Sequence, residues 1–169
     1  IYFKLQSFIY MPANGLIQGM RPLISYNYGA RHFDRVKKII KVSIISTAVI
    51  LCCGTIIFMG LPELVLSWFN ATEQLLEIGI IGLRVISPCF ILSTMGVVIS
   101  GVFESLGKGR QSLTISLLRQ FIITLPLAYI LLKVIGLNGI WLSFVIAEGI
   151  ASVIAVILIK KELHNFKVD

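Results

Sequence analysis

The chain has 169 residues, of which 57% are hydrophobic and only 14% are charged, whereas an ordinary soluble domain carries about 25% charged residues. Its formal net charge is +7, but the basic residues stand at the ends of long apolar runs and form no water-facing basic surface, which argues against a nucleic-acid partner. Because each membrane crossing takes roughly 20 mostly apolar residues, the length allows at most about six or seven crossings and no separate soluble domain.

Five apolar runs predict five transmembrane helices. In chain order they are residues 2–28, 42–61, 79–104, 111–132 and 139–159. Each is long enough to cross a bilayer as a helix. The predicted fold is therefore all-α, a polytopic membrane helical bundle whose lipid bilayer is its first partner. The sequence begins without an initiator Met or a signal peptide, which leads us to expect part of a longer chain.

The distribution of basic residues predicts the orientation of the bundle. Residues 29–41 hold five basic side chains and one acid, residues 107–111 hold Lys108 and Arg110, and the tail after the fifth run holds Lys160. By the positive-inside rule, both loops and the C-terminus are cytoplasmic. We therefore expect a multi-pass protein of the plasma membrane.

The connection between the second and third runs is acidic, with Glu63 and Glu73 and no basic residue, and is predicted to lie outside the cell. Trp68 and Phe69 would anchor a short interfacial helix there. Asn70 would cap the helix that follows.

Glycine and proline predict how the helices meet. Gly15 and Gly19 lie one turn apart, a spacing that lets another helix approach closely. Pro88 and Pro126 each remove a backbone donor inside a run and are expected to kink it. Kinked helices line cavities in many transporters, so Pro88 is a candidate hinge, with packing alone as the alternative.

One acid, Glu148, lies near the bilayer midplane, where a charge costs roughly 2.5 to 3.5 kcal/mol on insertion scales. Two arrangements would offset this cost. The carboxyl would hold a proton and release it when water or a cation arrives, or it would pair with a cation of a neighbouring helix. Arg119 is available, since it lies about 12 Å from the cytoplasmic boundary of its run and Glu148 about 16 Å from its own. A structural ion pair and a transport carboxylate both remain open.

Three other polar residues have local interpretations. Glu104 is expected to pair with Lys108 one turn later. Arg21 would reach the headgroups by extending its side chain. Gln18 either bonds across helices or borders a cavity.

No motif indicates an enzyme. The stretch "GVFESLGKG" has the wrong spacing for a phosphate loop. The two histidines are far apart in sequence, and the three cysteines stand in apolar runs, so neither set has the spacing of metal ligands. We predict no catalytic residue, no cofactor and no metal site.

Three stretches resemble the C-terminal half of multidrug and toxic compound extrusion (MATE) transporters. They are "QGMRPLISYNYGARHFDRVKK", "LRVISPCFILSTMGVVISGVFESLGKGR" and "LLRQFIITLPLAYILLKVIGLNGIWLSFVIAE", in the family's order and spacing. Such transporters have twelve helices in two six-helix lobes. The resemblance implies that residues 1–169 are helices eight to twelve, an incomplete C-terminal lobe whose missing partner is the N-terminal lobe of the same chain.

The resemblance also implies a function, namely export of small organic cations by a secondary active antiporter coupled to sodium or protons. Several members bind the coupling cation through acids on helices seven and ten, but residues 85–103 contain no acid, so no residue is assigned to that site. The candidate polar or hinge positions bordering a cavity are Glu148, Arg119, Gln18 and Pro88. Two alternatives stay open: a flippase for lipid-linked precursors, which needs a wide cationic cavity, and a membrane scaffold without transport.

Overall fold

The computed structural model describes residues 2–67 and 73–166, which are helical apart from short turns. The helices are α1 (Tyr2–Gly29), α2 (Phe33–Gly60), α3 (Pro62–Ser67), α4 (Glu73–Ser105), α5 (Gly109–Leu117), α6 (Thr124–Ile135) and α7 (Leu137–Asn165). A π-helical segment, Leu118–Ile122, joins α5 to α6. The all-α prediction is confirmed. The predicted roles of Trp68, Phe69 and Asn70 fall outside the described residues.

A helix lies at each of the five predicted spans. Within the part of the chain that the structure describes, four helical stretches are long and apolar enough to cross a membrane: Phe33–Gly60, Gly79–Ser105, Gly109–Ile135 and Leu137–Asn165. Helix α1 has 28 residues, the same number as α2. This corresponds to a length of about 42 Å. It is more polar than the others and does not reach their hydropathy. Its length suffices to cross, and its polarity suggests that one of its faces is not directed at lipid.

The sequence analysis predicted a loop at residues 29–41, but most of this basic segment is helical. Helix α2 begins at Phe33, so most of this segment forms its first turns. The reason is that Lys and Arg are good helix formers, and a helix can extend beyond the apolar core into water. Likewise α5 begins at Gly109, inside the predicted loop 107–111.

Helix α4 is the centre of the bundle and contacts α1, α2, α3, α5 and α7. In its apolar stretch 67% of the residues are buried, against 11% for the span formed by α5 and α6. A Cβ on Gly101 of α4 would lie 2.7 Å from Ile17, so α1 packs closest there. Among the described residues, no atom lies within 4 Å of a Cβ built on Gly15 or Gly19, so no described helix makes the close contact predicted there.

Two apolar clusters fill the bundle at different heights. One lies towards the end that carries Arg35 and Lys160, and it contains Val36, Phe103 and Phe166. The other lies towards the opposite end and contains Leu51, Phe58 and Phe90. On α4 the first cluster begins at Val98 and the second ends at Phe90. The turns of α4 between them include Ser93, Thr94 and Gly96 and position the candidate site.

The two internal prolines have different effects. Helix α4 continues as one element through Pro88. Before Pro126, the chain changes to π-helical geometry, with the Ile123 N–H donating to the Leu118 carbonyl oxygen at 3.1 Å. The Thr124 hydroxyl also donates to the carbonyl oxygen of Arg119. Such π segments often occur at functional sites, and this one contains Arg119.

Candidate functional site

Arg119 and Glu148 form a buried ion pair between the π segment and α7. The Nη2 and Nε atoms of Arg119 donate to Oε1 of Glu148 at 2.8 and 3.1 Å. Their side chains are only 13% and 12% exposed. The sequence analysis placed Arg119 and Glu148 at similar depths in their apolar runs, and the structure shows that these two residues are in contact. Within the membrane interior, each charge offsets much of the cost of burying the other.

The second carboxylate oxygen of this pair has no donor. Oε2 of Glu148 is buried and has no hydrogen-bond partner among the described residues. Both Arg119 donors are directed at Oε1 instead. A buried carboxylate oxygen in this state is where a proton or a small cation would gain most by binding.

Helix α4 forms the wall beside the pair. A Cβ on Gly96 would lie 3.5 Å from Cδ of Arg119 and 3.8 Å from the Ser152 hydroxyl. The Ser152 hydroxyl donates to the Leu92 carbonyl oxygen at 2.5 Å, one turn earlier on α4. These are ordinary van der Waals distances, so this turn of α4 packs directly beside the Arg119 side chain.

Arg119, Glu148 and Ser152 form a polar layer inside the bundle, and Ser93 of α4 and Tyr10 extend this layer towards α1. The Tyr10 hydroxyl lies 2.5 Å from the Ser93 hydroxyl, and Ser93 donates to the Phe90 carbonyl oxygen at 2.8 Å. Tyr10 is close enough to Glu148 and Arg119 to interact electrostatically with both. The sequence analysis missed Tyr10 and Ser93.

A polar face on α1 was the signal that could have identified Tyr10. Tyr10, Asn14, Gln18, Arg21 and Ser25 are spaced by four, four, three and four residues, which places them on one side of a helix. The last four of these are exposed, whereas Ala13, Ile17, Met20 and Ile24, on a neighbouring face of α1, are buried. A recess with a cavity volume of about 890 Å³ is lined by Tyr10, Asn14 and Gln18, among others. Tyr10 therefore both lines this recess and contacts Ser93 of α4.

A second set of charges lies at the end of the bundle that carries the basic segments. Arg21 pairs with Glu104 at 2.6 Å, and Lys108 pairs with Glu162 of α7 at 2.5 Å. The predicted Glu104–Lys108 pair is therefore wrong. Helix α4 ends at Ser105, and Gly107, with φ of +72°, turns the chain away before Lys108. The side chain of Lys108 is thus no longer in helical register with Glu104.

The four predicted site residues do not form one cluster. Glu148 and Arg119 are in contact, while Gln18 lines the open recess. Pro88 lies half-buried inside α4, eight residues from Gly96. Its neighbour Cys89 has its sulfur 3.7 Å from the Phe144 carbonyl oxygen. Cys89 therefore contacts α7, and Pro88 is not among the residues that line the recess.

Comparison with solved structures identifies the fold. An outward-facing conformation of a multidrug resistance MATE family transporter of the MOP superfamily aligns with a TM-score of 0.93 and 19% identity, over 99% of this chain and 38% of that one. Its inward-facing counterpart aligns with a TM-score of 0.91 over 98% of this chain and 39% of that one, also at 19% identity. The MATE multidrug transporter DinF-BH is 29% identical with a TM-score of 0.87, over 98% and 37% of the two chains.

Curated proteins that are similar to this chain in sequence are also named as multidrug export proteins. Multidrug export protein MepA of Staphylococcus haemolyticus (strain JCSC1435) is 29% identical over 170 residues, and MepA of Staphylococcus aureus (strain bovine RF122 / ET3-1) is 28% identical over 169 residues. Each alignment covers 100% of this chain and 37% of the relative, so the chain spans little more than a third of their length. The family model MatE matches residues 1–130. That match covers most of the chain, which therefore belongs to the MatE family of membrane transporters.

Proposed function

We propose that this chain is the C-terminal part of a secondary active exporter of small organic cations, an antiporter driven by sodium ions or protons. The observation that carries the proposal is the alignment of the whole chain with MepA proteins, which are named as multidrug exporters. The rest of the transporter, an N-terminal lobe and the first helix of this lobe, would be supplied by the same polypeptide. The basic first turns of α2 and the C-terminus would face the cytoplasm across the plasma membrane.

Alternating access fits the two conformations with which the chain aligns. The outward-facing and inward-facing structures match it with TM-scores of 0.93 and 0.91 over nearly all of its length. A lobe that resembles both would keep its internal packing while its orientation to the other lobe changes. The central, well-buried position of α4 supports such a rigid lobe.

The polar face of α1 is the part of the lobe best suited to border the substrate pathway. Its residues are exposed although the helix has the length of a membrane crossing, and polar groups inside a membrane mostly face a water-filled cavity. In this proposal Gln18 and Asn14 contact the substrate or its water. Arg119 and Glu148 lie behind them, with Tyr10 in between.

Dye efflux from vesicles tests the proposed activity. The full-length transporter would be reconstituted and loaded with a cationic fluorescent dye, and sodium and proton gradients would be imposed separately. We expect efflux with one of the two gradients and none without a gradient. Equal dye release under all conditions would refute secondary active export, and efflux that depends on added nucleotide would point to a different class of transporter.

Two variants test the assigned residues. Gln18→Ala should reduce dye efflux, while Gln111→Ala, at the start of α5 and outside the recess, should not. Glu148→Gln should leave efflux intact if the acid serves only to pair Arg119, because the amide still offers an acceptor oxygen. Loss of gradient-coupled efflux in a correctly folded Glu148→Gln protein would instead assign the carboxyl to ion coupling.

A further inference from the structure

An open groove runs between α1 and α2, on a different side of α1 from most of the recess that contains Gln18. Its cavity volume is about 750 Å³. The walls include Leu16, Leu23 and Val42, and its floor includes Gly15 and Gly19. No atom of the described residues lies within 4 Å of a Cβ built on either glycine, so an elongated apolar molecule can lie directly against the backbone of α1.

The groove has the depth of one membrane leaflet. From Gly15 to Asn27 it follows twelve residues of α1, or about 18 Å, and half of a bilayer's hydrocarbon core is about 15 Å. The Asn27 end is the end at which α1 turns into α2, since the His32 N–H donates to the Asn27 carbonyl oxygen at 2.8 Å. The groove therefore runs from the middle of the bundle to its basic end.

Two cations lie at that end of the groove. Arg35 and Lys38 belong to its lining, are exposed and have no ion-pair partner among the described residues. They precede the apolar run that begins at Val42 by seven and four residues, or about 10 and 6 Å along the helix. This is the depth at which lipid headgroups lie.

Asn27 supplies a buried polar group at the same end. Its side chain is 8% exposed and lines the groove. The side-chain nitrogen donates to the Leu23 carbonyl oxygen at 2.8 Å, whereas the side-chain oxygen has no partner among the described residues. A headgroup hydroxyl is one donor that would satisfy it.

We propose that this groove binds an anionic phospholipid of the surrounding membrane, with one acyl chain along Gly15 and Gly19 and the phosphate between Arg35 and Lys38. An apolar channel of leaflet depth matches the acyl chain, and the paired cations match a phosphate. The same cations would repel an organic cation, which separates this site from the proposed substrate pathway. Lipid binding requires no transport activity, so its test is independent of the proposed function.

Native mass spectrometry of the delipidated full-length protein tests the headgroup selectivity. Phosphatidylglycerol and phosphatidylcholine with the same acyl chains would be titrated in parallel. We expect Arg35→Gln/Lys38→Gln to weaken phosphatidylglycerol binding roughly thirtyfold, as two basic residues near a membrane surface would, and to leave phosphatidylcholine binding unchanged. The control is Lys160→Gln/Lys161→Gln, which removes the same charge from exposed positions of α7 at the same end of the bundle. Equal weakening by both pairs would overturn the proposal, because binding would then follow net charge and not the groove.

A second pair of variants tests the acyl-chain part of the groove. A Cβ at either glycine meets no described atom within 4 Å, so Gly15→Leu/Gly19→Leu should fill the floor of the groove, and we expect about tenfold weaker binding of both lipids. Gly149→Leu is the matched control, since Gly149 of α7 also has no neighbour within 4 Å but lies outside the groove. Unchanged binding in the filled variant would overturn the proposal.

Photo-crosslinking in vesicles shows whether the groove is open to lipid in the whole protein. Phosphatidylglycerol with a diazirine on its acyl chain should label peptides that contain Gly19 or Val42. Labelling confined to other peptides would overturn the proposal. So would efficient disulfide formation between a cysteine at Gly19 and one on another segment of the same protein, because that segment would then occupy the groove.

Discussion

Ion pairs at two depths of the bundle differ in what they contribute. Arg119 and Glu148 meet in the middle, with side chains 13% and 12% exposed, whereas Arg21 and Glu104 meet near the basic end, with side chains 44% and 41% exposed. Exposed pairs contribute about 0 to 1 kcal/mol to stability. Removing one partner of a buried pair costs about 3 to 5 kcal/mol, because it leaves an uncompensated charge. Losing one partner is thus expected to cost far more in the buried region than in the exposed one.

The difference originates in the backbone around each pair. Around Arg119 the chain is π-helical, and the Arg119 side chain packs beside Gly96 of α4. Solvent has little access there because three elements enclose the pair. Around Arg21 the helices α1 and α4 pack at Gly101, one turn deeper, and the side chains extend past that contact towards the surface. Depth along the helices therefore sets the burial of each pair.

The largest expected effect comes from leaving Arg119 unpaired. Glu148→Ala should lower the free energy of unfolding by about 3 to 5 kcal/mol, because the guanidinium stays buried without its partner. Replacing both residues, as Arg119→Met/Glu148→Leu, should recover most of that loss, since well-packed apolar residues often replace buried pairs at little cost. Thermal and denaturant unfolding in detergent micelles measure both effects.

A matched substitution at the other depth completes this test. Glu104→Ala, measured under the same conditions, should cost far less than Glu148→Ala, because Arg21 can be solvated when its partner is removed. Similar losses for the two variants would show that burial does not distinguish the pairs.

The pair between Lys108 and Glu162 lies between these extremes. Glu162 is 10% exposed and Lys108 is 33% exposed, and their atoms are 2.5 Å apart. Glu162→Gln should therefore lower the free energy of unfolding by about 1 to 2 kcal/mol, the range of a hydrogen bond to a charged group with partial solvent access. The measurement is again detergent unfolding, with Glu63→Gln in α3, an exposed acid, as a control that should have almost no effect. A loss as large as that of Glu148→Ala would contradict this intermediate rank.

Sequence could predict the depth of these groups but not the direction in which they point. Counting residues from the ends of the apolar runs placed Arg119 and Glu148 at compatible depths, and they are in contact. The count contains no information on the rotation of a helix about its axis, and no described helix makes the close contact predicted at Gly15 and Gly19. Glu104 illustrates a second limit, because its assigned partner required the helix to continue past Ser105, where it ends.

Polar residues on one face carried rotational information that a depth count does not use. Tyr10, Asn14 and Gln18 recur at helical spacing, and the structure places all three along one recess. The π segment at Arg119 was beyond the reach of pattern reading, since Pro126 predicts an irregularity but not its type. The position of Ser93 against Tyr10 depends on how α1 crosses α4, which only the packed bundle defines.

The smallest expected effect, at the exposed pair, sharpens the comparison through its dependence on salt. A double-mutant cycle on Arg21→Gln and Glu104→Gln should give a coupling energy of about 0.2 to 1 kcal/mol. Raising the ionic strength from about 0.01 M to 1 M shortens the Debye length from about 30 to 3 Å, so this coupling should largely vanish. The cycle on Arg119→Met and Glu148→Leu should give a coupling that hardly changes over the same range, because mobile ions cannot enter the space around a buried pair. If both couplings fell together, ions would have to reach Arg119 and Glu148, and the polar layer behind Tyr10 would have to be open to water.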